Sequence, residues 1–381
     1  MFRKLCTVLL ICSILLALPL LAGCRAKSTD AANGQSGQDT GNEQEKTKKN
    51  IRVGFIYIGS ANDGGWSYSH DQGRLYLERK LGVQTVYKEL VPEGEGVNQV
   101  MEDMIKEGVN VIFATSFGYM DHVEKMAREY PEIIFFHCSG NKTGENLSSY
   151  FGRIEEPRYL SGIVAGMKTK SNTIGYVAAY EIPEVIRGIN AFTRGVRSVN
   201  PEAKVVVKWT HTWDDREKGG KAAEELINLG ADIIAQHQDS DEPQKAAEKR
   251  GVWSIGYHAG MKDKAPKAYL TAPVWNWGPY YESQVKAIMD GTWKPSNYLG
   301  GMNEKIVQLD ACTELVPQEA KEKAAEAEAR IKNGTLSIFS GPIKDQNGKV
   351  KVQAGETLTD KELNGMFWFV EGVEGKISRG L

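Results

Sequence analysis

His237, Asp239 and Asp241 stand two residues apart, immediately after an apolar run. In an extended segment that spacing aims three polar heads to one side. An imidazole with two carboxylates is a set that metals use. Zinc, however, takes four ligands, or three plus a water, and no further partner lies nearby in sequence, so neither a metal nor another cofactor is implied. The chain has no Gly-x-Ser-x-Gly elbow, no Walker A loop, no Gly-x-Gly-x-x-Gly after a strand and no His-Glu-x-x-His. Only six histidines are present, and none can be paired with a nucleophile. We therefore expect binding rather than catalysis.

Binding chemistry is better represented. Asn62-Asp-Gly-Gly-Trp66-Ser-Tyr-Ser-His-Asp-Gln72, Ser116-Phe117-Gly-Tyr119 and Trp275-Asn276-Trp277-Gly278 each follow an apolar run. Aromatic faces stack on flat ligands, worth about 1–3 kcal/mol per base. Any single tryptophan is as readily explained by core packing, but three such loops in equivalent places argue for a ligand. Trp66 falls where a helix should begin, so its ring can face a cleft. The edge of a flat ligand needs polar partners. Glu184, Asp239 and Asn276 can accept from an amine, and His237, Asn276 and loop N–H groups can donate. Glu184 also suits the positive end of a helix, and His70-Asp71-Gln72 reads equally as a solvent-facing first turn.

The elements that position these residues alternate. Expected strands are Ile51–Ile58, Gln84–Leu90, Val109–Thr115, Ile133–His137 and Ser149–Ile154. A second series follows at Thr173–Ala178, Lys204–Thr210, Asp232–Gln236, Val252–Tyr257 and Ala268–Val274. Between them, Val97-Met101-Met104-Ile105 and Ile186-Ile189-Phe192-Val196 repeat at the helical period. Pro183 and Pro243 suit helix starts, and Gly230 a helix stop. Strand–helix alternation means parallel sheets covered on both faces, and two series mean two lobes. Ligands in such folds lie beyond the carboxyl ends of the strands. After Thr335 the composition changes, and Asn347-Gly348 reads as a tight hairpin.

The chain of 381 residues is 41% hydrophobic and 25% charged with a net charge of −2. That composition is globular and gives no electrostatic case for nucleic acid. At the start, Arg3 and Lys4 precede an apolar run from Leu5 to Leu21 and then Leu21-Ala-Gly-Cys24. This is a secretory pattern whose end resembles the bacterial lipobox, with Cys24 as the lipidated mature terminus. A membrane-spanning helix is the alternative, at the short limit of about 17 residues. Residues 25–50 carry no aromatic or branched aliphatic side chain and read as a tether. Cys138 and Cys312 are expected as buried free thiols rather than a bridge.

The lipobox, Val53-Gly-Phe-Ile-Tyr57, Asn62-Asp-Gly-Gly-Trp66-Ser67, His70-Asp71-Gln72, Thr115–Asp121, Pro183–Asn190 and Gly341–Gly348 together resemble the basic membrane protein family of solute-binding lipoproteins. The resemblance runs from Ile51 to Gly372. It implies a type I periplasmic-binding-protein fold, α/β, with two doubly wound lobes joined by a hinge and a C-terminal extension. Segment 1–23 is then the signal and 24–50 the tether. The first lobe is 51–155 plus about 277–305, the second 156–276 plus about 306–334, and the extension 335–381. The family implies purine bases or nucleosides as cargo, an ABC permease and ATPase as partners, and a lipid-anchored monomer on the extracytoplasmic face of the cell membrane. Nucleoside-binding relatives hold ribose with an Asp and a Lys, whereas this chain has His258 and the Trp275–Trp277 loop there. It is closer to the branch that takes a free, adenine-like base, with Trp66 as platform and Asp239 as acceptor for the exocyclic amine. A sugar on the same scaffold, a ligand sensor without transport and a hydrolase are the alternatives.

Overall fold

The computed structural model describes residues 51–378. The signal, Cys24 and the tether lie outside the described residues.

The first lobe is built from β1 (Arg52–Ile56), α1 (Trp66–Leu81), β2 (Gln84–Lys88), α2 (Gly96–Lys106), β3 (Val111–Ala114), α3 (Met120–Glu129), β4 (Ile134–Cys138) and β5 (Leu147–Gly152). The second follows with α4 (Glu155–Lys168), β6 (Thr173–Ala178), α5 (Pro183–Val199), β7 (Lys204–Trp209), α6 (Arg216–Asn228), β8 (Ile233–His237), α7 (Glu242–Lys249), β9 (Trp253–Ile255) and β10 (Tyr269–Thr271). Then come β11 (Pro273–Trp275), α8 (Gly278–Met289), β12 (Asn297–Gly300), β13 (Val307–Leu309) and α9 (Gln318–Lys332). The tail carries β14 (Ile343–Lys344), β15 (Val350–Val352), α10 (Asp360–Asn364) and β16 (Val373–Glu374).

The sheet orders are β12-β5-β4-β3-β1-β2 and β10-β9-β8-β6-β7-β16, and every pairing within them is parallel. Helices cover both faces, so the strands read as short continuous apolar runs; β3 and β8 are buried at every residue. In each sheet the order reverses between two neighbours, β1 and β3 in one and β6 and β8 in the other. Crevices for ligands open at such switch points. The sequence does not reveal that the sixth strand of the second sheet comes from the extension, where Val373 pairs with Val205.

The expected strand boundaries differ from the observed ones by up to three residues, with two informative departures. The run Ala268–Val274 is two strands. β10 closes the second sheet, whereas β11 pairs antiparallel with β13; Pro273 has no N–H for a parallel ladder. The strand expected from Ser149 begins at Leu147, because Ser148 and Ser149 are buried by virtue of partners that composition does not show. Ser148 Oγ accepts from Ser296 N (3.0 Å) and Ser149 Oγ donates to Asn297 Oδ1 (2.9 Å). At the hinge, a Cβ on Gly152 would stand 2.7 Å from both Trp275 and Val307, so glycine lets the crossing segments pack together. The tail hairpin forms as expected, with Gly348 at φ +81°. Cys138 and Cys312 are free, the first buried and the second half-buried.

Candidate functional site

The loops beyond β1, β3, β4 and those beyond β6, β7, β8, β9 line a narrow cavity of about 30 Å³. Trp66, Phe117 and Ile58 form its apolar side; Glu184, His237, Asp239 and His258 form the polar side.

Trp66 is the first residue of α1. Asp63 holds that helix start, accepting from the N–H groups of Gly65, Ser67 and Tyr68 at 2.7–2.9 Å. Burial pushes the Asp63 carboxyl up, and Asp239 adds to the effect. Trp66 Nε1 donates to Thr115 O (2.6 Å). The ring is met edge-on by His70, His258, Trp275 and Trp277, which leaves little rotational freedom. Opposite it, Asp239 follows β8. Its Oδ1 lies 2.9 Å from His258 Nε2, off the line of an aligned hydrogen bond. Trp275 Nε1 donates to His258 Nδ1 (2.9 Å), so the neutral ring carries its proton on Nε2, toward Asp239. Burial pushes the Asp239 carboxyl well above its ordinary value, with Asp214 reinforcing it, and holds His237 and His258 well below theirs. Glu184, second residue of α5, has its carboxyl pushed up to about 7 by burial.

The structure thus brings Trp66, Phe117, Glu184, His237 and Asp239 together and leaves four expected residues outside the cavity. Asn62 is exposed, and its neighbour Asp63 does the local work. Tyr119 is fully buried in a core, its hydroxyl donating to Val91 O. Asn276 donates to Lys305 O (3.0 Å) and receives no place in the cavity wall. Trp277 lies behind Trp66, stacked on Trp275 (4.7 Å) and His70 (4.7 Å). His70 and Asp71 are not solvent-facing: both are buried, His70 against Tyr281 and Asp71 against Arg74 and Tyr57. The His237-Asp239-Asp241 trio does not converge either. The strand ends at His237, alternation ends with it, and Asp241 turns to Arg216 (2.8 Å) and Lys245 (3.0 Å). Sequence reasoning missed Ser139 and Trp213 as wall residues and named Ser116 only as part of its loop. Each stands in a loop after a strand, so the strand-end rule would have found them.

The family model for "ABC transporter substrate-binding protein PnrA-like" (Bmp) matches residues 50–340. A purine-binding protein of Brucella abortus is 43% identical over 332 residues, covering 87% of this chain and 95% of that one. A Haloferax volcanii protein, named provisionally as an ABC transporter glucose-binding protein, is 38% identical over 377 residues, 94% of this chain and 93% of its own. Among solved structures, an ABC transporter solute-binding protein from Conexibacter woesei superposes with a TM-score of 0.64 at 21% identity, covering 75% of this chain and 98% of that one; it shares the fold. These are binding proteins rather than enzymes, and a substrate-binding protein of an ABC importer works outside the cytoplasm. The chain belongs to the Bmp, or PnrA-like, family of ABC transporter substrate-binding proteins.

Proposed function

We propose that this chain captures a purine base, adenine-like, between its two lobes and delivers it to an ABC permease. The observation that carries the reading is the pairing of walls in one cavity: a fixed indole on one side, two carboxyls and two neutral imidazoles on the other. A flat heteroaromatic ring needs a face to stack on and an edge to bond to. The name of the Brucella relative points the same way. The family resemblance puts His258 where nucleoside-binding relatives are expected to grip ribose, which supports the base over the nucleoside. The Haloferax relative supports a second reading, because an indole face with carboxyls opposite also suits a sugar.

Titration calorimetry with adenine, adenosine and glucose, on the wild type and Trp66→Ala, separates the readings. Adenine is expected to bind most tightly, and loss of the indole to cost about 1–3 kcal/mol of it. Adenosine equal to adenine would remove the base preference. Glucose binding without adenine would replace the reading altogether.

Membrane anchoring through Cys24 is part of the same proposal, supported by Leu21-Ala-Gly-Cys24. One acyl chain anchors only weakly, and stable attachment needs two signals, which a diacylglycerol thioether supplies. Mass spectrometry of the mature chain is expected to show an acyl-modified Cys24 that is absent in Cys24→Ala; an unmodified Cys24 would refute the anchor.

A further inference from the structure

We infer that Glu184 and His237 together read the hydrogen-bonding edge of the ligand, with Glu184 as the ionised acceptor and His237 as the donor, so that binding expels a proton from the site. The inference rests on the reading above that the cavity takes a heteroaromatic base.

The geometry begins with an unfinished pair. His237 is fully buried, and neither ring nitrogen has a hydrogen-bond partner among the described residues. Buried polar atoms are almost always partnered, so an orphaned imidazole on a cavity wall marks a place for ligand. Its Nε2 lies 3.6 Å from Glu184 Oε1, beyond direct hydrogen bonding. Both groups line the cavity. A free acceptor and a free ring nitrogen therefore face the ligand side by side.

Which nitrogen carries the proton follows from the ring's two sides. A Cβ added to Gly188 would lie 3.6 Å from His237 Nδ1, 3.7 Å from Arg158 Nε and 3.8 Å from Tyr176 Oη. The Nδ1 side thus shares a small space with a buried guanidinium, which only donates. A cation there favours a lone pair on Nδ1, and the carboxylate beside Nε2 favours the proton on Nε2. His237 then offers Nε2–H next to the Glu184 oxygen. Donor beside acceptor is the complement of an amidine or amide edge, the motif a purine carries at its six-membered ring. A protonated Glu184 still accepts through its carbonyl oxygen, but the ionised carboxylate accepts more strongly and matches that edge better.

The charge surroundings allow the switch. Glu184 is faced by Arg187 from its own helix, by Glu155 and Arg158 from α4, by Asp239 and His237 from the end of β8, by Tyr257 after β9 and by Cys138 at the end of β4. Asp360 of α10 lies beyond Arg187. Burial holds His237, Tyr257 and Cys138 toward their neutral forms and pushes Asp239 up; burial is also what chiefly raises Glu184, with Asp239 adding to it when ionised and Glu155 after it, while Arg187 and Arg158 oppose them. The free carboxyl stands at about 7, so at neutral pH it is half protonated. A ligand N–H bonds more strongly to the ionised form and so lowers that value in the complex. The sign is then fixed: affinity is full above pH 7 and falls as pH drops through 7. The ionised fraction binds better, so adenine affinity is expected to weaken from pH 8 to pH 6, by about tenfold at most.

Calorimetry of adenine at pH 6, 7 and 8, at pH 7 in two buffers of different ionisation enthalpy, reads both the affinity and the proton. The expected result is weakening toward pH 6 with proton release to buffer at pH 7. Glu184→Gln should lose both signatures, and Asp239→Asn should keep both, whatever either substitution does to the affinity itself. Adenine binding that is flat with pH, that strengthens toward pH 6, or whose pH dependence vanishes in Asp239→Asn rather than in Glu184→Gln, overturns the assignment while leaving the purine reading intact. No purine binding at any pH overturns both.

Discussion

The two walls of the cavity are built from equivalent places in two sheets of the same order, yet they are finished differently. On the first wall the indole, the Ser116 hydroxyl and one His137 nitrogen are already engaged, while His137 Nδ1 has no partner among the described residues. Trp66 Nε1 bonds to Thr115 O, His137 Nε2 meets Ser116 O at 2.8 Å and Ser116 Oγ donates to Glu93 Oε1 at 2.6 Å. On the second wall His237 has no partner on either nitrogen and Asp239 has an imperfect one. An engaged wall is a rigid surface that recognises shape. An unengaged wall carries a desolvation cost that only a ligand with the right edge removes, since each buried group left unmatched costs about 1–3 kcal/mol. Affinity for flat rings should therefore come from the first lobe and discrimination among them from the second.

The contact between the walls gives the largest test. Gly65 precedes Trp66, and a Cβ there would stand 2.3 Å from the backbone oxygen of Asp239. The neighbour is backbone, which cannot rotate away, so Gly65→Ala must move one wall relative to the other. Overpacking of this kind costs about 1–3 kcal/mol, equivalent to about a tenfold to hundredfold loss of affinity. We expect calorimetry to show that loss for adenine with little change in the thermal midpoint of the ligand-free protein. Wild-type affinity in Gly65→Ala would mean that the walls need not meet for binding, and the division of labour between them would fail.

How much of this was legible in the sequence follows from one rule. Loops after strands at a switch point line the crevice, and that rule selects Trp66, Phe117, Glu184, His237 and Asp239. It fails where residue type was read as function. Tyr119 and Trp277 are aromatic and follow strands, but a side chain's direction depends on what packs behind it. Tyr119 points into the core beside Val91, and Trp277 supports the tryptophan in front of it. Asn276 is polar and well placed in sequence, yet the β11–β13 ribbon claims its amide. His258, noted only as standing where relatives grip ribose, is a wall residue held at φ +69°, a conformation that no spacing pattern announces. The lobes were legible because buried parallel strands cannot hide their apolar runs. The strand from the tail was not, because two residues carry no periodicity.

The smallest expected effect marks where the polar wall stops. Asp241 belongs by spacing to the same series as His237 and Asp239, but its carboxylate faces Arg216 and Lys245 instead of the cavity. Burial pushes that carboxyl up, and Lys245 and Arg216 more than offset it, so it is held below the ordinary carboxylate value. A group depressed in the folded state contributes stability that is present above its unfolded value, about 3.9 for Asp, and is lost as pH falls through the folded one. The two cations are exposed, with 54% and 43% of their side chains accessible, so water and salt screen the pair to about 0–1 kcal/mol. Asp241→Asn should thus lower stability by no more than about 1 kcal/mol at pH 7. Denaturant titrations should show the deficit shrinking in added salt and vanishing below the carboxylate range. Adenine affinity should be unchanged. A large loss of binding in this variant would mean that the three residues act as one unit after all, and that the ligand-reading surface extends past the cavity to the start of α7.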